Sequence, residues 1–395
     1  MQGTQTMRSS SWPKWLLGLI PLLLLIGIIG GFLLLDPLAF FTGRFPPLEQ
    51  LSIQQVTFPD EGLVRLEVIN GGPDPVNVVQ VLVDEAYWQH EVRPARQLER
   101  LQSATIDIPY PWVNGEPLGI TLLTETGLTF EHEVEVATVS PQSQAQDLLA
   151  YALLGIYVGV VPVALGMMWY PFMRRIDRKW MNAILALTVG LLLFLFVDTL
   201  LEALEMAERA PGVFQGVPLV ILGTLLSLGI LLVVGQYRGL DTPKGIATLI
   251  ALGIGLHNMG EGLAIGAAFA TGAATLGSFL VIGFTLHNIT EGVGIAAPLL
   301  KGPRPSMLMF GGLALLAGAP AILGTWFGSL AYSPVPAALF LSLGAGAILQ
   351  VIWEVGKLLW RDAVRQERSA LNWLNFAGLT AGVVIMYLTA FLVKF

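Results

Sequence analysis

The stretch from Leu256 to Pro298 reads LHNMGEGLAIGAAFATGAATLGSFLVIGFTLHNITEGVGIAAP, and it carries the polar hexapeptide His-Asn-x-x-Glu-Gly twice within apolar sequence. The two copies are His257, Asn258, Glu261 and Gly262, and His287, Asn288, Glu291 and Gly292. In a helix, residues four apart lie on the same face, so each imidazole should lie beside the carboxylate of its own motif. Each motif helix is therefore predicted to present a nitrogen and an oxygen ligand together.

These polar groups are costly in a membrane helix. An ionisable side chain at the bilayer centre costs about 2.5 to 3.5 kcal/mol, so the repeated His and Glu pair needs partners or a function. Two helices that supply matched imidazoles and carboxylates suit a borderline divalent cation. Interhelical hydrogen bonding alone is the alternative, but it would favour neutral Ser, Thr or Asn over a repeated ionisable pair.

The composition is that of a membrane protein. Only 12% of the residues are charged and 54% are hydrophobic, which predicts a mainly α, polytopic helix bundle. The net charge of -7 comes mostly from one soluble segment, and no basic patch indicates a nucleic acid partner. The chain has no cysteine, so disulfides, thiolate metal sites and cysteine nucleophiles are excluded. Copper(I) is disfavoured for the same reason.

The N-terminal segment, residues 1–43, combines a short basic start with an apolar run from Trp15 to Leu35. A run of about 20 residues is long enough to cross the bilayer, so we expect an uncleaved membrane anchor. A cleaved signal peptide is the alternative.

Residues 44–140 are predicted to form a small extracytoplasmic, immunoglobulin-like β-sandwich of about seven strands. Its strand-like runs are Leu63–Ile69, Val76–Val83, Leu118–Thr124 and Leu128–Val136, with turns at Asn70-Gly71-Gly72-Pro73 and Asn114-Gly115. His90 and His132 lie in this segment. Metal capture is one interpretation of them, but no second cluster has ligand spacing, so solvated histidines are favoured.

Residues 146–395 are predicted to form a transport domain with eight further spans. The predicted spans are Leu148–Tyr170, Trp180–Leu201, Pro218–Gln236, Gly245–Ala270, Thr275–Leu300, Met307–Tyr332, Val335–Gly356 and Asn372–Val393.

The connectors between these spans alternate in charge. Basic residues fill every second one: Arg174, Arg175, Arg178 and Lys179; Arg238 and Lys244; Lys301 and Arg304; and Lys357, Arg361, Arg365 and Arg368. The others are acidic (Glu202, Glu205, Glu208) or uncharged, near Gly272 and Pro334. The positive-inside rule places the basic loops, with Arg8 and Lys14, in the cytoplasm. The β domain and the C-terminus at Phe395 are then extracytoplasmic.

The two motifs resemble those of the ZIP family of divalent metal transporters, in particular its bacterial GufA-like and ZupT-like branch. The resemblance is strongest over the two motif helices and extends over the C-terminal two-thirds of the chain. It implies an eight-helix core with both ends outside, in a bacterial plasma membrane, plus one anchor helix here. The expected function is the transport of divalent transition-metal cations into the cytoplasm, zinc first, with iron, manganese, cobalt or cadmium as further options.

The resemblance also implies the metal ligands. These are His257, Asn258 and Glu261 from the first helix, and His287, Asn288 and Glu291 from the second. Asp198 is either a further ligand or a residue at the helix end in contact with water, and the two interpretations are equally favoured. Glu202 more plausibly caps the helix end, and Glu354 is expected to pair with Lys357. Gly260 and Thr290 stand where the family usually has proline. Ala319, ahead of Pro320, stands where relatives carry an acid, so one principal ion is expected.

Two other classes of function are alternatives to transport. Intramembrane metalloproteases need HExxH and di-iron bundles carry Glu-x-x-His, whereas this chain has His-x-x-x-Glu, so no enzyme activity is expected. The remaining alternative is a membrane metal sensor or receptor, in which the β domain would be the sensing module. We expect no resident cofactor, because the metal ion is the transported substrate. The expected partners are divalent metal cations, the lipid bilayer and, as an option, a second copy in a homodimer.

Overall fold

The computed structural model of the chain describes residues 14–35, 47–134, 136–140, 145–237, 240, 242–270, 274–300, 302–330, 333–367 and 369–393. The chain divides into two units, Met1–Leu48 and Glu49–Phe395. In the first unit, helix α1 spans Lys14–Leu35, where the anchor was predicted, and its stretch Leu19–Phe32 is apolar. Arg8, Arg238, Lys301, Arg368, Phe395 and the loop near Gly272 lie outside the described residues.

The second unit begins with an antiparallel β domain of nine described strands, not about seven. They are β1 Leu51–Asp60, β2 Leu63–Asn70, β3 Val76–Val83, β4 Ala86–Trp88, β5 Glu91–Arg93, β6 Gln97–Leu98, β7 Ser103–Ile108, β8 Leu118–Thr124 and β9 Thr129–Val134. One sheet has the order β1-β2-β7-β5 and the other the order β4-β3-β8-β9, with β6 paired to β3. The extra strands are two or three residues long, too short to show a period-two pattern.

The two sheets share one apolar core. Inward side chains alternate along β2, for example Val64, Leu66 and Val68, and they pack in the same cluster as Ile120 and Leu122 of β8. This alternation with period two is what the sequence showed. A buried face shared by two antiparallel sheets stabilises a domain that neither sheet would form alone.

The rest of the second unit is helical. Its elements are α2 Ala145–Gly155, a π-helical turn Ile156–Val160, α3 Val161–Met167, α4 Tyr170–Met173, α5 Arg178–Glu208, a 3-10 turn Gly212–Phe214, α6 Gly216–Val234, α7 Pro243–Ala270, α8 Ala274–Leu299, α9 Met307–Gly318, α10 Pro320–Leu330, α11 Pro334–Arg365 and α12 Trp373–Val393. Within the described residues, eight helical segments are long and apolar enough to cross a membrane. The chain is a multi-pass membrane protein with a small antiparallel β domain.

Two span predictions need correction. The predicted span Trp180–Leu201 continues to Glu208, so Glu202, Glu205 and Glu208 lie on α5 rather than in a loop. The predicted span Val335–Gly356 continues to Arg365, so Lys357, Arg361 and Arg365 lie on α11 rather than in a loop.

Glycines allow the motif helices to pack closely against their neighbours. A Cβ at Gly262 of α7 would lie 2.3 Å from the carbonyl oxygen of Ala321 in α10, and one at Gly292 of α8 would lie 2.2 Å from that of Val163 in α3. Only glycine, which has no Cβ, allows contacts this short, so these two residues set the distance between the neighbouring helix backbones.

The β domain contacts one end of the helix bundle. The side chain of Gln50 lies against Gly212, between α5 and α6, and the hydroxyl of Ser333 donates to Oε1 of Gln54 at 3.2 Å. At the opposite end, Asn182 near the start of α5 donates to Asp362 near the end of α11. We call that opposite end, which carries Arg174, Arg178 and Arg365, the basic end.

Candidate metal site

The six motif side chains all lie buried where α7 and α8 meet. The exposed fraction is 5% or less for each of them: His257, Asn258, Glu261, His287, Asn288 and Glu291. Ionisable groups this deep in apolar surroundings require compensation from partners or a bound ion. The structure therefore brings together the six residues that the sequence singled out on these two helices.

Glu261 links the two motif helices. Its Oε1 lies 3.0 Å from Nε2 of His257 on its own helix and 2.5 Å from Nε2 of His287 on α8. Its Oε2 accepts a hydrogen bond of 3.2 Å from Nδ2 of Asn288. The expected pairing of His257 with Glu261 is present, and Glu261 is also hydrogen-bonded to His287 of the other motif.

The second motif departs from the expected pairing. His287 is hydrogen-bonded to Glu261, and neither carboxylate oxygen of Glu291 has a hydrogen-bond partner among the described residues. The spacing predicted that His287 and Glu291 would share a helix face, but not which carboxylate would be hydrogen-bonded to the imidazole of His287. That choice depends on how α7 and α8 pack, which the spacing within one helix does not specify.

The asparagine side chains are fixed by helix irregularities nearby. Nδ2 of Asn288 donates to the carbonyl of Val158, in the π-helical turn, at 3.0 Å. Nδ2 of Asn258 donates to the carbonyl of Ala317, in the last turn of α9, also at 3.0 Å. Carbonyls at a helix end lack a partner within the helix, and π turns displace the regular ladder. Each amide nitrogen is thus engaged, which leaves each Oδ1 as the free acceptor.

Several buried acceptor atoms in the cluster have no hydrogen-bond donor among the described residues. The atoms without a partner are Nδ1 of His257, Oδ1 of Asn258, Oδ1 of Asn288, and Oε1 and Oε2 of Glu291. Buried polar atoms without partners are rare in folded proteins and usually point to an ion or a water. Ligand atoms of His257, His287 and Glu291 lie within 4.8 Å of one another. This set of nitrogen and oxygen donors fits one divalent transition-metal ion.

A cavity of about 770 Å³ connects this cluster to the end of the bundle that contacts the β domain. His287 lies at its inner wall, and Asp198, Glu202 and Glu205 of α5 also line it. Asp198 is half-buried and shares this cavity with His287, but it is not part of the group whose ligand atoms converge. The structure thus places Asp198 on the approach to the cluster.

Gln350 on α11 was not singled out from the sequence. Its side chain is fully buried, and neither its Nε2 nor its Oε1 has a partner among the described residues. A Cβ at Gly253 of α7 would lie 3.1 Å from that Oε1, so the amide sits one helical turn from His257, towards the basic end. The signal in the sequence was a single glutamine within an apolar run, because a polar amide in a membrane span is costly and needs a partner or a function.

Two other expectations concern residues away from the cluster. Glu354 accepts a 2.6 Å hydrogen bond from Nζ of Lys357, as predicted. Burial lowers the pKa of His90 in the β domain, which keeps its imidazole neutral near pH 7. Within the part of the chain that the structure describes, His90 and His132 belong to no group of three or more converging metal-ligand side chains.

The fold and this cluster define a class: a multi-pass membrane protein with a buried group of histidine and glutamate side chains, of the kind that could hold a cation, between two of its spans. No protein-family model matches the chain, and no curated protein matches it. Among solved structures, the archaellum periplasmic stator protein FlaG from Sulfolobus acidocaldarius matches 22% of this chain and 100% of its own, at 18% identity and a TM-score of 0.20. At that TM-score the likeness carries no argument about fold or function.

Proposed function

We propose that this protein carries divalent transition-metal cations across the membrane into the cytoplasm, as a ZIP-like transporter, with zinc as the preferred substrate. The observation that carries the proposal is the buried group of His257, His287 and Glu291. His257 and Glu291 carry buried acceptors without a partner among the described residues, and His287 lines the inner end of a cavity that opens at one end of the bundle. A structural hydrogen-bond network would pair these atoms with donors instead.

The ligand set suits an ion that must bind and then leave. Neutral imidazoles and ionised carboxylates replace the water shell, and the asparagine oxygens add ligation without charge. Glu261 and Glu291 together balance a divalent ion, so the loaded cluster is close to neutral in a region of low dielectric. Position 319, at the break before Pro320, carries alanine, which supports one principal ion rather than two.

The cavity provides an entry route. Asp198, Glu202 and Glu205 give its outer part a negative character, which attracts cations at the mouth. Arg209 forms a 2.6 Å ion pair with Glu205 and reduces that charge only in part. In this proposal the β domain, of immunoglobulin-like type, lies outside the cell on the entry side, and the basic end faces the cytoplasm.

The deciding experiment is uptake into liposomes that contain the purified protein, with Zn, Fe, Mn, Co and Cd tested in turn. We expect saturable accumulation of at least one ion, with zinc fastest. A protein that binds zinc tightly but moves none of the five ions would contradict transport and favour the metal sensor or receptor. Protein-free liposomes and the Glu208→Gln variant, at an exposed position that does not line the cavity, serve as controls.

A further inference from the structure

A second cavity, of about 510 Å³, lies at the basic end of the bundle between α5, the end of α8 and the end of α11. Three arginines line it: Arg174 just before α5, Arg178 at the start of α5, and Arg365 at the end of α11. It is separate from the metal cluster, whose six residues do not line it. Its walls are otherwise mostly apolar, with Met173, Leu185, Leu300 and Leu358 among them.

The charges in this cavity do not balance. Asp362 is the only carboxylate among the described lining residues, and its Oδ2 already accepts hydrogen bonds from Asn182 at 2.9 Å and Gln366 at 2.7 Å. Its Oδ1 lies 3.8 Å from Arg178, too far for a hydrogen bond. One carboxylate therefore faces three guanidinium groups.

Two of those guanidinium groups have no acidic partner among the described residues. Arg174 donates to the hydroxyl of Tyr170 at 3.2 Å, and Arg365 has no side-chain hydrogen bond or ion pair within the described part of the chain. In the sequence around them, Arg175 and Lys179 add positive charge, and Asp177 and Glu367 add negative charge. Positive charge therefore exceeds negative charge among the described residues of this region.

Helix α5 adds to this positive potential. Its first turn contains no acidic residue, and Asp177 at the N-cap makes no side-chain capping hydrogen bond. The N-terminus of a helix carries a partial positive charge, so arginine and lysine there are unfavourable unless an anion lies close by. A departing divalent cation would be repelled here, which argues against this cavity as a metal exit.

The position of the cavity indicates the kind of anion. Trp180 and Trp360 are more than half exposed at this end of α5 and α11, and tryptophan concentrates where the hydrocarbon meets the headgroups. An apolar wall beside three arginines at that level fits a phosphate joined to acyl chains better than a free ion. We propose that this cavity binds the phosphate headgroup of an anionic phospholipid and so ties the start of α5 to the end of α11.

The test uses the full-length protein in neutral detergent, with phosphatidylglycerol or phosphatidylcholine added and the bound lipid counted by native mass spectrometry. We expect phosphatidylglycerol to be retained and phosphatidylcholine not. Since each arginine near a lipid headgroup is worth about 1 kcal/mol, Arg365→Gln should weaken retention about fivefold, and Arg174→Gln with Arg365→Gln still further. Arg365→Gln breaks no side-chain hydrogen bond or ion pair among the described residues, so it should fold normally.

Arg361→Gln is the matched control, because Arg361 lies one turn from Arg365 on the same helix and does not line the cavity. It should retain phosphatidylglycerol as the wild type does. Equal losses for Arg361→Gln and Arg365→Gln would overturn the site in favour of a diffuse charge effect. Displacement of the lipid by millimolar inorganic phosphate would show a free-anion site instead. Equal retention of both lipids would remove the proposal altogether.

Discussion

At the scale of single residues, Glu291 tests the proposed ion most sharply, because both of its oxygens are buried and neither has a donor in the described part of the chain. Glu291→Gln keeps the shape but removes one of the two charges that balance a divalent ion. A charge deep in the membrane is worth about 2.5 to 3.5 kcal/mol, so zinc affinity should fall about 100-fold. Titration calorimetry on the purified variant measures this, and Glu208→Gln should bind as the wild type does. Unchanged affinity in Glu291→Gln would show that Glu291 is not a ligand.

Gln350 gives a prediction about stability rather than binding. A buried amide without partners costs free energy. Gln350→Met should therefore leave the free energy of unfolding unchanged or raise it by up to about 2 kcal/mol, and the unfolding temperature should stay the same or rise. Thr325→Val is the contrasting variant, because the hydroxyl of Thr325 is buried and donates to the carbonyl of Tyr151 at 2.8 Å. That change should cost about 1 kcal/mol. A lower unfolding temperature for Gln350→Met, measured in detergent, would mean that the amide has a partner.

The sequence predicted which residues of the cluster would be buried together, but not all of their bonds. The pairing of His257 with Glu261 follows from helix geometry within one element. The bonds from Glu261 to His287 and from Asn288 to Val158 join different elements. They depend on the packing distance and rotation of the helices, which a repeat spacing does not encode.

At the scale of elements, close packing of α7 on α10 depends on Gly262. A Cβ there would lie 2.3 Å from a backbone oxygen, which cannot move as a flexible side chain could. Gly262→Ala should therefore destabilise the protein by about 1 to 3 kcal/mol, as overpacked cores do. Gly311→Ala in α9 is the control, since nothing lies within 4 Å of its Cβ and alanine favours helix. Thermal unfolding of both variants decides this, and equal effects would contradict the close approach.

Element types were easier to predict than element ends. Apolar length identified the eight spans and period-two alternation identified the longer strands, because each signal is repeated many times within one element. The extension of α11 to Arg365 was missed because its last turns are charged and fall outside an apolar window. The strands β4 to β6 were missed because their pairing is set by neighbouring strands rather than by their own few residues.

At the scale of the whole molecule, the β domain and the basic end lie at opposite ends of the bundle. The positive-inside rule then predicts which end faces the cytoplasm. Because the chain has no cysteine, single-cysteine variants can be labelled without background. In sealed cells an impermeant maleimide should label Ser103→Cys and leave Arg178→Cys unmodified until the membrane is opened. Labelling of Arg178→Cys in sealed cells would reverse the orientation.

The central claim is that a divalent cation crosses the membrane through the cluster that Glu261 organises. The most direct measurement is the initial rate of zinc influx into liposomes that contain either the wild type or Glu261→Gln at equal protein density. We predict saturable influx with the wild type and a loss of at least about 100-fold with Glu261→Gln, because the variant removes a balancing charge and leaves one amide oxygen where the carboxylate accepts from His257, His287 and Asn288. Equal influx through the two proteins, or wild-type influx no faster than that of empty liposomes, would contradict the account.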